Sequence, residues 1–264
     1  MNATTSDISS ITLRRDGAVA HLRFSRPRSL NAIDAGMAQR LLELATSLAA
    51  DDSVRAVVMS GEGRAFVAGG DLPSMHARPD AIGPEIIGPL HQALQTLALL
   101  DAPVIASVHG AVAGAGLSLM LAADLAIAAE GTMFKLAYLG IGASCDGGAS
   151  FALPRVVGLR HALEIALLNE SFDAGEALRL GLVNRVVAAA ELEAVTNELA
   201  QRLAAGPTRA VGRVRRLMRQ SFDASFAEQL DAERAAFEAS TGDADFDEGL
   251  RAFMAKRAPN FQGR

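Results

Sequence analysis

The chain has 264 residues, of which 50% are hydrophobic and 21% are charged, a composition typical of one globular unit and not of a disordered protein. The net charge of −5, one tyrosine and no tryptophan argue against a nucleic-acid-binding surface built on basic patches and stacked aromatic rings. The single cysteine excludes a disulfide framework and a cysteine-based zinc site.

No segment is predicted to cross a membrane. The longest apolar stretch, residues 111–129, is interrupted by Gly114, Gly116, Ser118 and Asp124, whereas a spanning helix needs about 20 predominantly apolar residues. The polar N-terminus MNATTSDISS has no apolar core of the kind a signal peptide carries. We therefore expect a cytoplasmic protein.

The first part of the chain predicts strands that alternate with helices. Residues 11–15 and 18–24 are predicted as strands joined at Asp16-Gly17, a hairpin turn signal. Apolar side chains then recur at helical spacing over residues 29–50. Buried strands are predicted at 54–59 and 104–108, each followed by a glycine-rich segment and a helix, at 82–100 and 117–122. Two more strands are expected at 124–129 and 132–136.

The pattern after residue 191 is almost wholly helical. Pro207 opens a helix over residues 209–220 that is rich in arginine, and its arginines are expected to form a solvated face. A further helix is predicted at 226–240. The tail carries phenylalanines at 222, 226, 237, 246, 253 and 261, so it must pack on the core or on another copy of the chain.

Several well-known catalytic motifs are absent. The sequence has no GxxxxGK[ST] phosphate loop, no complete GxGxxG fingerprint and no GxSxG elbow. The histidines have no metal-binding spacing, and each is predicted to be a structural or surface residue, so no metal site is expected. They are His21, His76, His91, His109 and His161. Cys145 has no recognisable histidine partner and is predicted to be a small packed residue.

Two glycine-rich loops follow predicted buried strands, over residues 63–72 and 109–118. Small residues after a strand allow backbone N–H groups to point at a ligand without obstruction. Two such loops side by side offer converging donors, which is the arrangement of a backbone oxyanion hole. Turn geometry or tight packing explains either loop alone equally well.

The order and spacing of several motifs resemble the enoyl-CoA hydratase/isomerase, or crotonase, superfamily over nearly the whole chain. The motifs are RPRSLNA at 26–32, AFVAGGDL at 65–72, PVIASVHG at 103–110, AGAGL at 113–117, GASCDGGAS at 142–150 and, in the tail, DEG at 247–249, AF at 252–253 and KRAPNF at 256–261. The resemblance implies an α/β fold, a spiral of ββα turns over residues 1–195, followed by a helical oligomerisation segment over 196–264. It also implies a homotrimer or a hexamer.

The resemblance implies a coenzyme A thioester as substrate, with no separate cofactor. The N–H groups of Gly70 and Ala115 would hold the thioester carbonyl as it becomes an enolate. Arg28 would contact the phosphorylated end of coenzyme A. The other residues that the resemblance assigns to substrate or coenzyme A binding are Ala68, Asp71, Leu72, Tyr138, Phe253 and Lys256.

The sequence departs from hydratases of this family at two positions. Those enzymes handle water with two glutamates, and here the corresponding residues are Ser118 and Tyr138. A neutral hydroxyl is a poor general base near pH 7. The usual two-glutamate hydration is therefore not expected.

One carboxylate remains in this region, that of Asp146. In isomerases of the family an acidic residue here moves a proton between carbons of the acyl chain. In other members it is a nucleophile toward halogenated aromatic acyl-CoA. Asp146 also suits the N-cap of a helix predicted at 147–157. We expect double-bond isomerisation, with a hydratase and a catalytically weak acyl-CoA-binding protein as the alternatives.

Overall fold

The computed structural model describes residues 10–264 and contains two sheets flanked by helices. The polar N-terminal segment discussed above lies, apart from Ser10, outside the described residues. The strands are β1 (Ile11–Asp16), β2 (Val19–Phe24), β3 (Ala56–Gly61), β4 (Ala65–Val67), β5 (Val104–Val108), β6 (Ala111–Ala113), β7 (Leu125–Ala129), β8 (Met133–Lys135), β9 (Phe172–Asp173) and β10 (Arg185–Val187). The helices are α1 (Ala35–Ala49), α2 (Leu72–Ala77), α3 (Gly88–Leu99), α4 (Ala115–Ala122), α5 (Ala149–Leu168), α6 (Ala174–Arg179), α7 (Leu192–Ala204), α8 (Thr208–Gln220), α9 (Phe226–Thr241) and α10 (Ala244–Met254).

The first two strands both belong to the larger sheet, and the following strand pairs β3–β4, β5–β6 and β7–β8 give one strand to each sheet. The larger sheet has the order β1-β2-β3-β5-β7-β10, and the smaller has the order β4-β6-β8-β9. The pairs β1–β2 and β8–β9 are antiparallel, and every other pair in the two sheets is parallel. The predicted α/β spiral of ββα turns is confirmed.

The larger sheet is covered on both faces, which explains the continuous apolar runs of β3 and β5. Leu22 and Phe24 of β2 face the main core, where the Phe24 ring meets the Phe66 ring edge-on at 5.5 Å between centroids. Val19 of the same strand faces the other side, where α7 packs. The strand alternation therefore separates a main core from a smaller layer under α7.

The helix predicted from residue 29 begins only at Ala35, with Asp34 as its N-cap. Leu30 and Asn31 before it have left-handed backbone conformations, with φ of 52° and 58°. Asn31 is fully buried, and its amide donates to the carbonyls of Glu62, Ala65 and Phe66. These contacts outweigh the helical spacing of the local sequence and leave an irregular segment beside β4.

Two other helices also begin differently from their sequence predictions. The segment predicted as one helix over 82–100 opens with a π-helix, Ile82–Ile87, before α3. The helix predicted from residue 117 begins at Ala115. The earlier start places the first N–H groups of α4 in the second glycine-rich loop.

The expectation of a solvated arginine face on α8 is wrong. Arg215 is buried and pairs with Asp124 at 2.7 Å, and Arg219 pairs with the same carboxylate at 2.8 Å. Arg216 pairs with Asp101 at 2.8 Å. The same three arginines donate to backbone carbonyls at the ends of α3 and α4, where the helix dipole favours a positive charge; the acceptors are Leu97, Leu99, Leu100 and Ala122. The arginines of α8 fasten the tail to the core.

The tail also exposes large apolar side chains. They include Met218, Phe222, Phe226, Phe237, Phe253 and Met254. The predicted boundary between residues 195 and 196 falls inside α7, which packs on the larger sheet. In the part of the chain that the structure describes, no helix is long and apolar enough to cross a membrane.

We predict that Asp124→Asn destabilises the fold by about 3–5 kcal/mol, because it leaves the buried Arg215 guanidinium without a counter-charge. The amide keeps the size of the side chain and an oxygen for the N–H of Val104, which now donates to Asp124 at 2.7 Å. The free energy of unfolding is measured in urea at one protein concentration. Asp231→Asn breaks only the exposed pair with Arg234 and should cost less than about 1 kcal/mol. Equal losses in the two variants would contradict a structural role for the buried pair.

Candidate active site

Three adjacent strands of the smaller sheet end at the same edge. β4, β6 and β8 are parallel neighbours, so their carboxyl ends lie side by side. Gly70 follows β4, Ala115 follows β6, and Tyr138 follows β8. Gly70 and Ala115 are 45 positions apart in the sequence, and the order of the strands in the sheet brings them to the same edge.

The two glycine-rich loops pack backbone against backbone. A Cβ built on Gly114 would lie 3.5 Å from the Cα of Gly69. Gly69 and Gly114 have φ of 112° and 50°, in the region that favours glycine. A Cβ on Gly116 would lie 1.9 Å from the carbonyl oxygen of Val67, so no side chain fits there. The glycines of the AGAGL motif are required by this close approach.

The N–H groups of Gly70 and Ala115 donate to no group within residues 10–264, although their neighbours are bonded. Ile33 donates to the carbonyl of Gly69 at 2.8 Å, and Asp71 donates to that of Ile33 at 2.9 Å. Ala115 is the first residue of α4, where a helix N–H has no intrahelical acceptor and the positive end of the dipole lies. The two loops therefore present two backbone donors that can hold an oxyanion.

An ion-pair cluster holds the first loop. Arg26 contacts Asp71 at 2.9 Å and Asp34 at 3.0 Å, and Asp71 caps α2 by accepting from Ser74. Burial alone would raise the pKa of Asp71, but the hydrogen bonds from Arg26 and Ser74 outweigh it and hold the pKa below its ordinary value. The residue after Gly70 is thus fixed by an ion pair with Arg26 and by a hydrogen bond from the backbone N–H of Ser74.

Ser118, Tyr138 and Asp146 form one hydrogen-bonded network. The Tyr138 hydroxyl donates to the Asp146 carboxylate. The Ser118 hydroxyl lies 3.0 Å from that of Tyr138 and donates to the Asp146 carbonyl at 2.9 Å. The structure thus brings the two residues at the hydratase glutamate positions together with the remaining carboxylate.

Tyr138 is a hydrogen-bond donor and not a base in this network. Burial, followed by the negative charge of Asp146 and its hydrogen bond, raises the pKa of Tyr138 far above its ordinary value. The phenol therefore stays neutral at any physiological pH. The one carboxylate of the network is that of Asp146.

The alternative prediction that Asp146 caps a helix is wrong. α5 begins at Ala149, its N-cap is Gly148, and no side chain caps it. The backbone carbonyl of Asp146 accepts from Ala149 at 3.1 Å. The carboxylate is therefore not committed to a helix end and is held by Tyr138 instead.

His91 makes a contact of the structural kind predicted for the histidines, and the structure places it next to the Asp146 loop, which the sequence does not indicate. Its Nε2 accepts a hydrogen bond from the N–H of Gly147 at 3.0 Å, so it contacts the residue next to Asp146 from α3. No local motif marks His91, because this contact joins residues 56 positions apart. Cys145 is half-buried against the core, in keeping with its predicted packing role.

A cavity of about 1060 Å³ adjoins the loop that carries Asp146. It lies between α3, α5 and α8, with His91, Gly147 and Gly148 at one end. Its walls are mainly apolar and include Leu94, Leu121, Phe151, Val214, Met218 and Phe222. The cavity offers room for a large apolar group next to Gly147 and Gly148, although Asp146, Gly70 and Ala115 are not among its lining residues.

Comparison with known proteins accounts for this arrangement. The model of the family described as enoyl-CoA hydratase/isomerase matches residues 14–264. This chain belongs to the enoyl-CoA hydratase/isomerase family.

The similar members of the family differ in their named reactions. A 4-chlorobenzoyl coenzyme A dehalogenase-2 of an Arthrobacter species is 35% identical over 93% of this chain and 91% of that protein. A 1,2-epoxyphenylacetyl-CoA isomerase of Escherichia coli is 34% identical over 93% and 95% of the two chains. The crystal structure of an enoyl-CoA hydratase from Polaromonas sp. JS666 has a TM-score of 0.90 and 31% identity, covering 96% of this chain and 99% of that one. Membership of the enoyl-CoA hydratase/isomerase family therefore supports an enzymatic function. It does not determine which reaction the chain catalyses.

The other residues predicted to bind coenzyme A lie in several separate elements of the fold. Ala68 and Leu72 flank Gly70, and Ala68 is tied to the segment of Arg28 by its N–H bond to the carbonyl of Leu30 at 3.1 Å. Arg28 is exposed in a short 3-10 turn, Pro27–Ser29. Phe253 lies in α10 and is 84% exposed, and Lys256 follows that helix. A role for these residues toward coenzyme A stays a prediction.

We predict that the pKa of Tyr138 falls in the variant Asp146→Asn, because the negative charge that raises it is removed. Tyr138 is the single tyrosine, and the chain has no tryptophan, so the near-ultraviolet absorbance of phenolate reports this residue alone. The parent protein should form no phenolate near pH 10, where a free tyrosine titrates at about 10, until alkali unfolds it. The variant should ionise at a lower pH than the parent while still folded.

Asp52→Asn is the matched control, because Asp52 is exposed. Its phenolate titration should follow that of the parent. Ionisation of Tyr138 at the ordinary pH in the folded parent would contradict the buried Tyr138–Asp146 pair.

Proposed function

We propose that the chain is an acyl-CoA isomerase that moves a carbon–carbon double bond along the acyl chain. The observation that carries the proposal is the single carboxylate of Asp146, hydrogen-bonded by Tyr138, beside two loops with free backbone donors. One base and one oxyanion hole suffice for this reaction. Coenzyme A enters as part of the thioester substrate, and the proposal requires no other cofactor.

The proposed step begins at a 3-enoyl-CoA. Asp146 takes a proton from C2, and the electron pair spreads over C2 to C4 and onto the thioester oxygen. The N–H groups of Gly70 and Ala115 hold that oxygen, and each such donor is worth about 2.7–4 kcal/mol in the transition state. Asp146 then returns the proton to C4, which leaves a 2-enoyl-CoA. No atom is gained or lost.

The hydroxyl groups in the network support isomerisation over hydration. Hydration requires a base for the attacking water as well as a proton donor for C2. By the family resemblance, Ser118 and Tyr138 stand at the positions of the two hydratase glutamates, and neither becomes an anion near neutral pH. They position Asp146 and do not activate water.

The apolar cavity that adjoins Gly147 and Gly148 supports a large acyl group. The coenzyme A part is assigned to residues outside this cavity. Arg28 would contact the phosphates, with Ala68, Asp71 and Leu72 near the adenine. Phe253 and Lys256 would complete the coenzyme site, in this subunit or in a neighbouring one.

A second candidate is hydrolytic dehalogenation of an aromatic acyl-CoA. The 35% identity to a 4-chlorobenzoyl coenzyme A dehalogenase and the position of His91 beside the Asp146 loop favour it. In this reaction the carboxylate of Asp146 attacks the ring carbon, halide leaves, and water cleaves the resulting ester. Release of halide from a halobenzoyl-CoA would support this candidate, and its absence would exclude it for that substrate.

We predict that a 3-enoyl-CoA is isomerised faster than a 2-enoyl-CoA is hydrated. Asp146→Asn should lower isomerisation by about 10²–10⁴-fold, the loss expected for a positioned general base. Its thermal midpoint should stay near that of the parent, because Asp146 caps no helix. The two activities are followed by product analysis, with Asp52→Asn as the control variant.

Full isomerase activity in Asp146→Asn would show that the base lies elsewhere. Loss of activity only together with unfolding would remove the support for a catalytic role. Faster hydration than isomerisation in the parent would contradict the proposed reaction. Binding of acyl-CoA with no exchange of its α-protons for solvent deuterium would indicate a binding protein without catalysis.

We predict that Gly70→Val lowers turnover by about 10²–10³-fold, as loss of one oxyanion donor does. A Cβ at Gly70 would lie 2.7 Å from the sulfur of Met75, and a β-branched side chain there displaces the loop or blocks its N–H. Gly70→Ala is the milder comparison, since the flexible end of Met75 can move aside. Steady-state kinetics of the two variants test this, and unchanged turnover in Gly70→Val would place the reacting carbonyl elsewhere.

We propose that the exposed apolar side chains of α8 to α10 are covered in a homotrimer or in a hexamer made of two trimers. Exposed apolar surface of this extent is unusual on a monomer. Sedimentation velocity at micromolar concentration should give the mass of three or six chains. A stable monomer under those conditions would contradict the assembly.

A further inference from the structure

A second cleft lies on the α7 face of the larger sheet. Its lining includes Gly63 and His109, the first residues of the two glycine-rich loops, but not Gly70, Ala115 or Asp146. Its volume is about 440 Å³. Strands β1, β2, β3 and β5 form the floor, and the first two turns of α7 form one wall. Its lining is rich in polar and charged side chains, unlike that of the cavity beside Gly147 and Gly148.

The strand register assembles the polar floor. Thr12 is opposite Arg23, Arg23 is opposite Ser60, and Ser60 is opposite Ser107, across four strands. In the next row Arg14 is opposite His21. On the same face of the sheet, the other end is apolar and is covered by α7. The polar row is therefore the part of this face that α7 leaves open.

Two guanidinium groups in this cleft have no protein partner. Among the residues that the structure describes, neither Arg14 nor Arg23 makes a side-chain hydrogen bond or an ion pair. They occupy diagonal positions on adjacent antiparallel strands, with Cβ atoms about 7–8 Å apart. Side chains of this length can converge on one ligand between them. Guanidinium groups match the planar spacing of phosphate and carboxylate oxygens.

The groups around the two arginines add further donors. The Nε2 atom of His21 has no hydrogen-bond partner in the described chain and no exposed surface, so His21 serves as a reporter of charge in the cleft and not as a donor. Burial, followed by the charge of Arg14, lowers the pKa of His21, whereas Asp16 and Glu193 raise it, so a bound anion nearby would be detected as a rise. Ser60 and Asn197 also face the cleft.

Two carboxylates limit the positive charge of the cleft. Glu193, on the first turn of α7, lines it. Asp16 is at the far end of β1, where Gln201 of α7 contacts it at 3.4 Å. His109, the other histidine of the lining, is bound to the carbonyl of Gly63 at 2.9 Å. Of these two carboxylates, only that of Glu193 lines the cleft, together with Arg14 and Arg23.

We propose that this cleft binds the phosphoryl group of a small metabolite, held between Arg14 and Arg23 with Ser60 and Asn197 as further donors and His21 beside them. The volume suits a small phosphate monoester and is too small for a coenzyme A molecule. The site is independent of the proposed isomerase reaction, because it shares no residue with the network of Asp146.

The test follows the His21 proton resonance by NMR as inorganic phosphate is added at constant ionic strength. The resonance is assigned by its absence in His21→Gln. Phosphate should shift it saturably and raise the pKa of His21, because a dianion then lies beside the ring. A phosphate monoester, glycerol 3-phosphate, should do the same, and the dicarboxylate succinate should bind more weakly because it lacks a tetrahedral oxyanion.

Removing a positive charge and removing a negative charge from the cleft should change phosphate affinity in opposite directions. Arg14→Gln and Arg23→Gln should each weaken phosphate binding about tenfold or more, and Glu193→Gln should strengthen it. Arg160→Gln, at an exposed arginine of α5, is the matched control and should leave binding unchanged. Acyl-CoA turnover should be the same in all four variants, which separates this test from that of the proposed function.

Three outcomes would overturn the site. The first is a shift that sodium chloride reproduces at the same ionic strength, which is screening and not binding. The second is unchanged phosphate affinity in both arginine variants. The third is binding of succinate as tight as that of phosphate, which would show a general anion surface and not a phosphoryl site.

Discussion

The candidate site depends on one packing constraint, the backbone contact between the loops that follow β4 and β6. Two parallel strands bring Gly69 and Gly114 together, and Gly116 lies against Val67 so closely that no side chain could be inserted. Because the neighbouring peptides are bonded elsewhere, the N–H groups of Gly70 and Ala115 are left as free donors. Donors fixed in this way need no reorganisation when charge develops on a bound carbonyl.

Next to this contact, charged side chains hold the first loop in place, and neutral hydroxyl groups orient Asp146. Arg26, with two carboxylates, holds the first loop. Tyr138 and Ser118 hold Asp146 through its carboxylate and its backbone carbonyl. The high pKa of Tyr138 follows from this arrangement, since a buried phenol beside a carboxylate strongly disfavours the phenolate. Within this network Asp146 supplies the one carboxylate.

The sequence predicts the central strands of the larger sheet well, because buried parallel strands are continuous apolar runs. It misses β4 and β6 of the smaller sheet, which lie within the segments predicted as glycine-rich loops. The strand at Val104–Val108 matches its prediction at both ends. The beginnings of helices are predicted poorly where tertiary contacts decide them. Asn31 bonds to carbonyls more than 30 residues away, and no local pattern indicates a left-handed residue at that point.

The residues of the candidate site also differ in whether the sequence predicts them. Gly70, Ala115 and Asp146 stand in motifs that can be found in the sequence, and the fold brings them to neighbouring loops. His91 is not in a motif, and it reaches the site through a contact from α3 to Gly147. The ion pairs of the α8 arginines also cannot be predicted from a local sequence pattern, because their partners Asp101 and Asp124 lie about a hundred positions earlier in the chain.

The central claim is that one carboxylate moves one proton between two carbons of the acyl chain. The direct measurement uses a 3-enoyl-CoA deuterated at C2 and determines, in the first turnovers, the deuterium at C4 of the product. The account predicts that part of the label appears at C4, because Asp146 returns the atom it removed. A C4 hydrogen taken wholly from solvent, or a hydrated product, would contradict the single-base reaction.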